Sequence, residues 1–114
     1  MNTITIEVAA LEKTRERMLA AFDGQEQGSF ITFSSAEDLW KTFTLKRWDI
    51  IRTMTGAGAM AIRELARRLN RDVRAVHADV QALLACGVLN KTAAGAIEFP
   101  YDAVHVDFVV TKAA

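Results

Sequence analysis

The chain has 114 residues, half of them hydrophobic (51%), with 14 basic and 14 acidic side chains and one cysteine. That length makes one domain, or one small domain plus an oligomerisation element, and the apolar fraction suffices for an ordinary core. A single cysteine excludes an internal disulfide, no run of about 18 apolar residues offers a membrane span, and the opening residues lack the basic leader of a signal peptide, so the expected location is cytoplasmic.

Thr3-Ile4-Thr5-Ile6-Glu7-Val8 alternates polar and apolar side chains, the pattern of a half-buried strand. A helix is expected from Ala9 to Phe22, with Leu11, Met18, Leu19 and Phe22 inward. The polar stretch Asp23–Ser29, with two glycines, reads as a loop. Phe30-Ile31-Thr32-Phe33 is a second short strand. Ser35 then opens a helix as its N-cap, with Glu37 and Asp38 favourable in the first turn. Leu39, Trp40 and Phe43 are expected to face inward, Trp40 and Trp48 serving as core anchors.

Thr44 caps the next helix, Leu45 to about Thr55, which Gly56-Ala57-Gly58 ends. Its buried stripe is read as Leu45, Trp48 and Ile51, joined by Ile50 and Met54. Residues 61–84 then spell two amphipathic helices. Ile62, Leu65, Ala66 and Leu69 form the apolar face of the first; Val73, Val76, Val80, Leu83 and Leu84 form that of the second. Between them Asp72 is placed to cap the second helix. Cys86-Gly87 ends it, and Cys86 reads as a semi-buried packing residue. Val88–Lys91, Thr92–Gly95 and Ala96–Pro100 read as strand, turn and strand. The tail from Val104 to Val110 reads as a final strand.

Net charge is zero, but the charge is unevenly spread. Residues 1–40 carry three basic and seven acidic side chains, residues 41–74 nine and three, and residues 75–114 two and four. The positive excess therefore coincides with the paired helices, whose outer sides carry Arg63, Arg67, Arg68, Arg71 and Arg74. Two short helices with a basic outer face, followed by a hairpin, form a winged helix-turn-helix pattern, whose second helix enters the DNA major groove. On that helix Arg71, Arg74, Ala75, His77, Ala78 and Gln81 are expected outside. Arg74 suits guanine O6 and N7, and Gln81 suits adenine. Arg63, Arg67 and Arg68 suit phosphates. Lys91 and Thr92 at the hairpin tip are expected to touch the backbone or the minor groove.

Other chemistry is not assembled by this sequence. His77 and His105 have no partner at metal spacing, and His77-Ala78-Asp79 diverges on a helix. Gly56-Ala57-Gly58 follows a helix, without the strand-loop-helix context of a phosphate cradle. No cofactor or metal is expected, and no enzyme is read here.

The fold class expected is α+β: a winged helix-turn-helix over residues 44–100, an N-terminal strand-helix-strand-helix over 1–43, and a C-terminal strand over 101–114. The strand at 3–8, the helix at 9–22 and the strand at 104–110 are candidates for a homodimer contact; the alternative is that they cover the helical unit within one chain.

Several runs carry a resemblance: Ser34-Ser35-Ala36-Glu37-Asp38-Leu39, Ile62-Arg63-Glu64-Leu65-Ala66-Arg67, Arg71-Asp72-Val73-Arg74-Ala75-Val76-His77-Ala78-Asp79-Val80 and Pro100-Tyr101-Asp102. Together they resemble small prokaryotic winged helix-turn-helix regulators of the MarR-like class, and more narrowly an antitoxin-like group of DNA-binding proteins. The resemblance covers roughly residues 30–110. It implies double-stranded DNA as partner, transcriptional control including autoregulation, nucleoid association, and a toxin encoded next door. It places Arg63, Arg67, Arg71, Arg74, His77 and Gln81 at the DNA; Ala78 departs from a position often basic in such proteins. Two alternatives stay open: an antitoxin that chiefly masks a toxin, and an interaction module without DNA binding.

Overall fold

Residues 2–9, 15, 16, 18–20 and 29–107 are described in the computed structural model of the chain. In chain order they form β1 (Thr3–Val8), β2 (Ser29–Phe33), α1 (Ala36–Thr42), α2 (Leu45–Met54), α3 (Ile62–Leu69), α4 (Val73–Ala85), β3 (Asn90–Lys91), β4 (Ile97–Glu98) and β5 (Ala103–Asp107). Residues 15, 16 and 18–20 are also helical and lie on the connection between β1 and β2. The architecture is a mixed α+β fold with two separate sheets.

The larger sheet is entirely parallel, in the order β2-β1-β5. Ile6 stands opposite Ile31 on one side and Val106 on the other. The two-residue period turns Ile4 and Ile6 to the core, where Ile31, Phe33 and Val104 join them. Glu7 points to the other face and is also buried, accepting a hydrogen bond from the Thr32 hydroxyl at 3.2 Å. Because β1 is paired along both edges inside its own chain, it is not available to pair with a second copy. Among the described residues, β2 and β5 are the edges of the sheet.

One hydrophobic cluster unites this sheet with the helices. Leu39 on α1 and Phe43, its C-cap residue one turn later, join the core; the Phe43 ring stacks on Trp48 at 4.8 Å and meets Phe33 edge-on at 5.8 Å. From α2 come Ile50, Ile51 and Met54, from α3 Leu65 and Ala66, and from α4 Val76, Val80 and Leu83. The predicted caps form: Ser35 accepts from the Asp38 amide, Thr44 from Arg47, and Asp72 from Arg74 and Ala75.

Five apolar residues expected inside are not. Leu45 is 79% exposed, because it lies in the first turn of α2, before the buried stripe begins. Val73 does the same on α4. Trp40 is 50% exposed: it follows Leu39 by about 100° of helix rotation, and the short α1 has its inner face filled by Leu39 and Phe43. Met18 and Leu19 are exposed, the half-buried position of that segment being Ala20. Leu11 and Phe22 lie outside the described residues, as does the expected strand beyond Asp107.

The hairpin strands are shorter than predicted. The amides of Gly87 and Val88 return to Leu84 and Leu83, closing the end of α4, and Leu89 also bonds to Leu83. Val88 and Leu89 are thereby committed to capping and core rather than to a ladder. Pro100 has no N–H to extend the other strand. A bridge between Met60 and Ile97, with N–O distances of 2.9 Å both ways, ties the segment before α3 to β4. The segment Pro100-Tyr101-Asp102 stitches the two sheets' supports together. Its Pro100 carbonyl accepts from the Asn2 side chain, the Tyr101 carbonyl accepts from Gly56, and the Asp102 amide donates to Asn2.

Candidate nucleic-acid interface

The turn between α3 and α4 is fixed by three consecutive residues. Asn70 adopts the left-handed conformation (φ 53°), which asparagine tolerates better than most residues. Its amide returns to Arg67 and that of Arg71 to Ala66, so α3 closes on its own carbonyls. Asp72 then satisfies the first amides of α4. With Val76, Val80 and Leu83 turned inward, the opposite side of α4 presents Arg74, Ala75, His77, Ala78 and Gln81, all exposed. The Gln81 amide nitrogen and the His77 Nε2 lie 3.4 Å apart, one turn from each other on this face.

Arg63, Arg67 and Arg68 on α3 are exposed as well. Arg63 and Arg74 make no ion pair among the described residues. Arg67 and Arg68 share Glu64: Arg67 grips both carboxylate oxygens and Arg68 donates its Nε at 3.0 Å. The hydrogen bonds from Arg67 and then Arg68 hold the Glu64 carboxyl down to about 2, and the same contact raises the Arg67 pKa further.

Arg71 departs from its predicted outward position. Its side chain is only 19% exposed, and Nη2 donates to Asp79 Oδ2 at 2.8 Å. The other Asp79 oxygen accepts from Arg47 Nε at 3.2 Å. Arg47 Nη1 also donates to the Thr42 carbonyl at 3.1 Å, so this cluster links α1, α2, the turn and α4. Burial by itself raises the Asp79 pKa, but the hydrogen bonds from Arg71 and Arg47 outweigh it and leave the carboxyl below its ordinary value. Thr92 is also less available than predicted: its hydroxyl accepts from the Ala96 amide at 3.1 Å and closes the hairpin turn. Lys91 is exposed on β3. Cys86 is exposed rather than semi-buried, its thiol directed at the Leu83 carbonyl.

Arg47 and Asp79 are the residues that pattern reading missed. Asp79 follows Val76 by three positions, on the buried side of α4. A carboxylate there calls for a cation. That signal was legible, but its partner 32 residues earlier was not. Among the described residues no group of His, Cys, Asp and Glu is arranged to hold a metal ion. No described helix is long and apolar enough to cross a membrane.

A family model, HVO_A0114, matches residues 42–106, more than half of the chain. The chain belongs to the HVO_A0114 family. The HVO_A0114 match takes in α2, α3, α4 and the β3–β4 hairpin, and extends along most of β5. It therefore includes both arginine-sharing carboxylates and the exposed face of α4. No curated protein and no solved structure matches the chain.

Proposed function

We propose that residues 45–100 are a winged helix-turn-helix that binds duplex DNA and regulates transcription, including that of its own operon, in the manner of the MarR-like regulators its motifs resemble. The observation that carries this reading is the outer face of α4. Arg74, Ala75, His77, Ala78 and Gln81 are exposed together on one side of α4, which a tight capped turn begins, and Arg63 and Arg67 are exposed on the preceding helix. Two alanines on that side let the helix axis approach a groove floor. A guanidinium, an imidazole and an amide supply the donors and acceptors that base edges require.

Roles on this side follow from position. Arg74, in the first turn of α4, reaches furthest into a groove, because recognition helices contact base edges mainly with their N-terminal residues. Arg63, Arg67 and Arg68 meet phosphates, and Lys91 adds a backbone contact from the hairpin. Arg71 is a positioning residue that holds the turn through Asp79. DNA readers of this size gain affinity by presenting two such helices, so the acting species is a homodimer.

The test is fluorescence anisotropy with the chain's own upstream region and with random duplex, across a salt series. Arg74→Ala is expected to cost about 1–3 kcal/mol on the specific duplex and little on the random one. Arg68→Ala is expected to weaken both, and to flatten the log K against log salt slope by about 0.9. Equal losses on both duplexes for both variants, or a wild-type chain with no salt-dependent binding, would overturn the proposal.

A further inference from the structure

A cleft of about 410 Å3 opens between the outer side of α2 and the α3–α4 turn, lined by Asp49, Arg52, Thr53, Arg68, Leu69 and Arg71. Three arginines and one threonine line it together with a single carboxylate residue. That carboxylate, Asp49, reaches Arg52 only at 3.5 Å, with both side chains largely in solvent, so it neutralises little. The other two arginines hold only shares of a counter-charge. Glu64 is divided between Arg68 and Arg67, and Asp79 between Arg71 and Arg47. The cleft therefore carries an uncompensated positive charge. In addition, Arg71 Nη1 is shut off from solvent and has no hydrogen-bond acceptor among the described residues. Buried polar hydrogens without acceptors are rare in folded proteins, and one on a charged group is the costliest kind.

We infer that this cleft is a binding site for a phosphoryl group. Planar guanidinium forks match the oxygens of a tetrahedral oxyanion, and Thr53 adds a neutral donor on the α2 wall. Arg71 lines the cleft with Nη2 held by Asp79 and Nη1 still lacking an acceptor, which an oxyanion in the cleft would supply. The volume exceeds that of a bare phosphate and leaves room for the group that bears it. Two sources share this chemistry: a phosphomonoester of a small metabolite, and a backbone phosphate of a nucleic acid. Only the second rests on the DNA-binding reading.

The experiment is two-dimensional NMR of the full chain, titrated with inorganic phosphate and, separately, with sodium chloride at matched ionic strength. Saturable shifts of the Thr53, Leu69 and Arg71 amides are expected with phosphate and not with chloride. Arg52→Gln and Thr53→Val alter the rim and leave the core untouched, so their spectra should stay folded. Arg52→Gln is expected to weaken phosphate about tenfold, and Thr53→Val by less. Adenosine monophosphate and a short random duplex distinguish the sources. Tighter binding of the nucleotide, with phosphate affinity unchanged by duplex, assigns a small molecule; displacement of phosphate by duplex assigns the nucleic-acid backbone. Shifts identical in chloride, or phosphate affinity unaffected by Arg52→Gln, would overturn the site. Failure of Arg74→Ala to affect DNA binding would not touch it.

Discussion

Glu64 and Asp79 do the same thing in different surroundings. Each carboxylate is shared by two arginines, Glu64 by Arg67 and Arg68, Asp79 by Arg47 and Arg71. Glu64's partners are one helical turn away on α3, and Arg67 is 71% exposed. Asp79 is 18% exposed and joins groups from α2 and the turn. The first cluster lies in solvent, where side-chain entropy and water offset most of the attraction. The second lies where water is scarce and where losing one partner strands the others. Similar pairings thus differ in consequence: Asp79 ties α2, the turn and α4 together, while Glu64 sets how much net positive charge α3 presents.

Asp79→Ala should break that contrast most visibly. It leaves two half-buried guanidinium groups without a counter-charge, and urea unfolding should show a loss of about 2–3 kcal/mol, somewhat less than for a fully buried pair. The pH dependence has a definite sign. The folded carboxyl has the lower pKa, so its contribution is complete above the ordinary value near 3.8 and is lost as pH falls below it, through the lowered folded value. Acid unfolding of the variant should lack that component. An Asp79→Ala chain as stable as wild type would remove that tying role.

Asn70→Ala should come next. It puts a β-carbon without a compensating polar group into the left-handed conformation at the join between α3 and α4, and should cost about 1 kcal/mol by the same measurement. Asn70→Gly should be near neutral or better. Glu64→Gln is the smallest effect on stability and the sharpest on charge. Its melting temperature should barely move, while Arg67 and Arg68 are released. Under the DNA-binding proposal, the salt slope should steepen by up to about 0.9 for each new phosphate contact. An unchanged slope would mean that releasing the two arginines from Glu64 adds no phosphate contact to those the wild-type chain makes.

Much of this arrangement was written locally. The caps at Ser35, Thr44 and Asp72, the inward rows of α3 and α4, and β1 with its alternation all follow from short-range pattern and turn chemistry. What local pattern does not carry is pairing at a distance. Nothing near Thr3 says that it will lie beside Ala103, so by pattern alone the terminal strand reads as a dimer contact, whereas it pairs with β1 of its own chain. Arg71 reads as an outward arginine until the carboxylate eight residues later is seen on the buried side of its helix. First-turn positions mislead for a simpler reason: Leu45 and Val73 continue the apolar spacing of their helices, but the core lies below them.

Asn2, Thr3 and Ile4 are bonded to residues about a hundred positions later, from Pro100 to Val104. Among these elements the central strand is thus the earliest made and among the last to be completed. Its neighbour β5 does not exist until every helix has been synthesised, and closing so long a loop is entropically expensive. During translation the growing polypeptide carries Ile4 and Ile6 unsheltered on that side, while α2, α3 and α4 already have one another to pack against. The β1–β5 pairing is therefore the longest-range closure in the described fold.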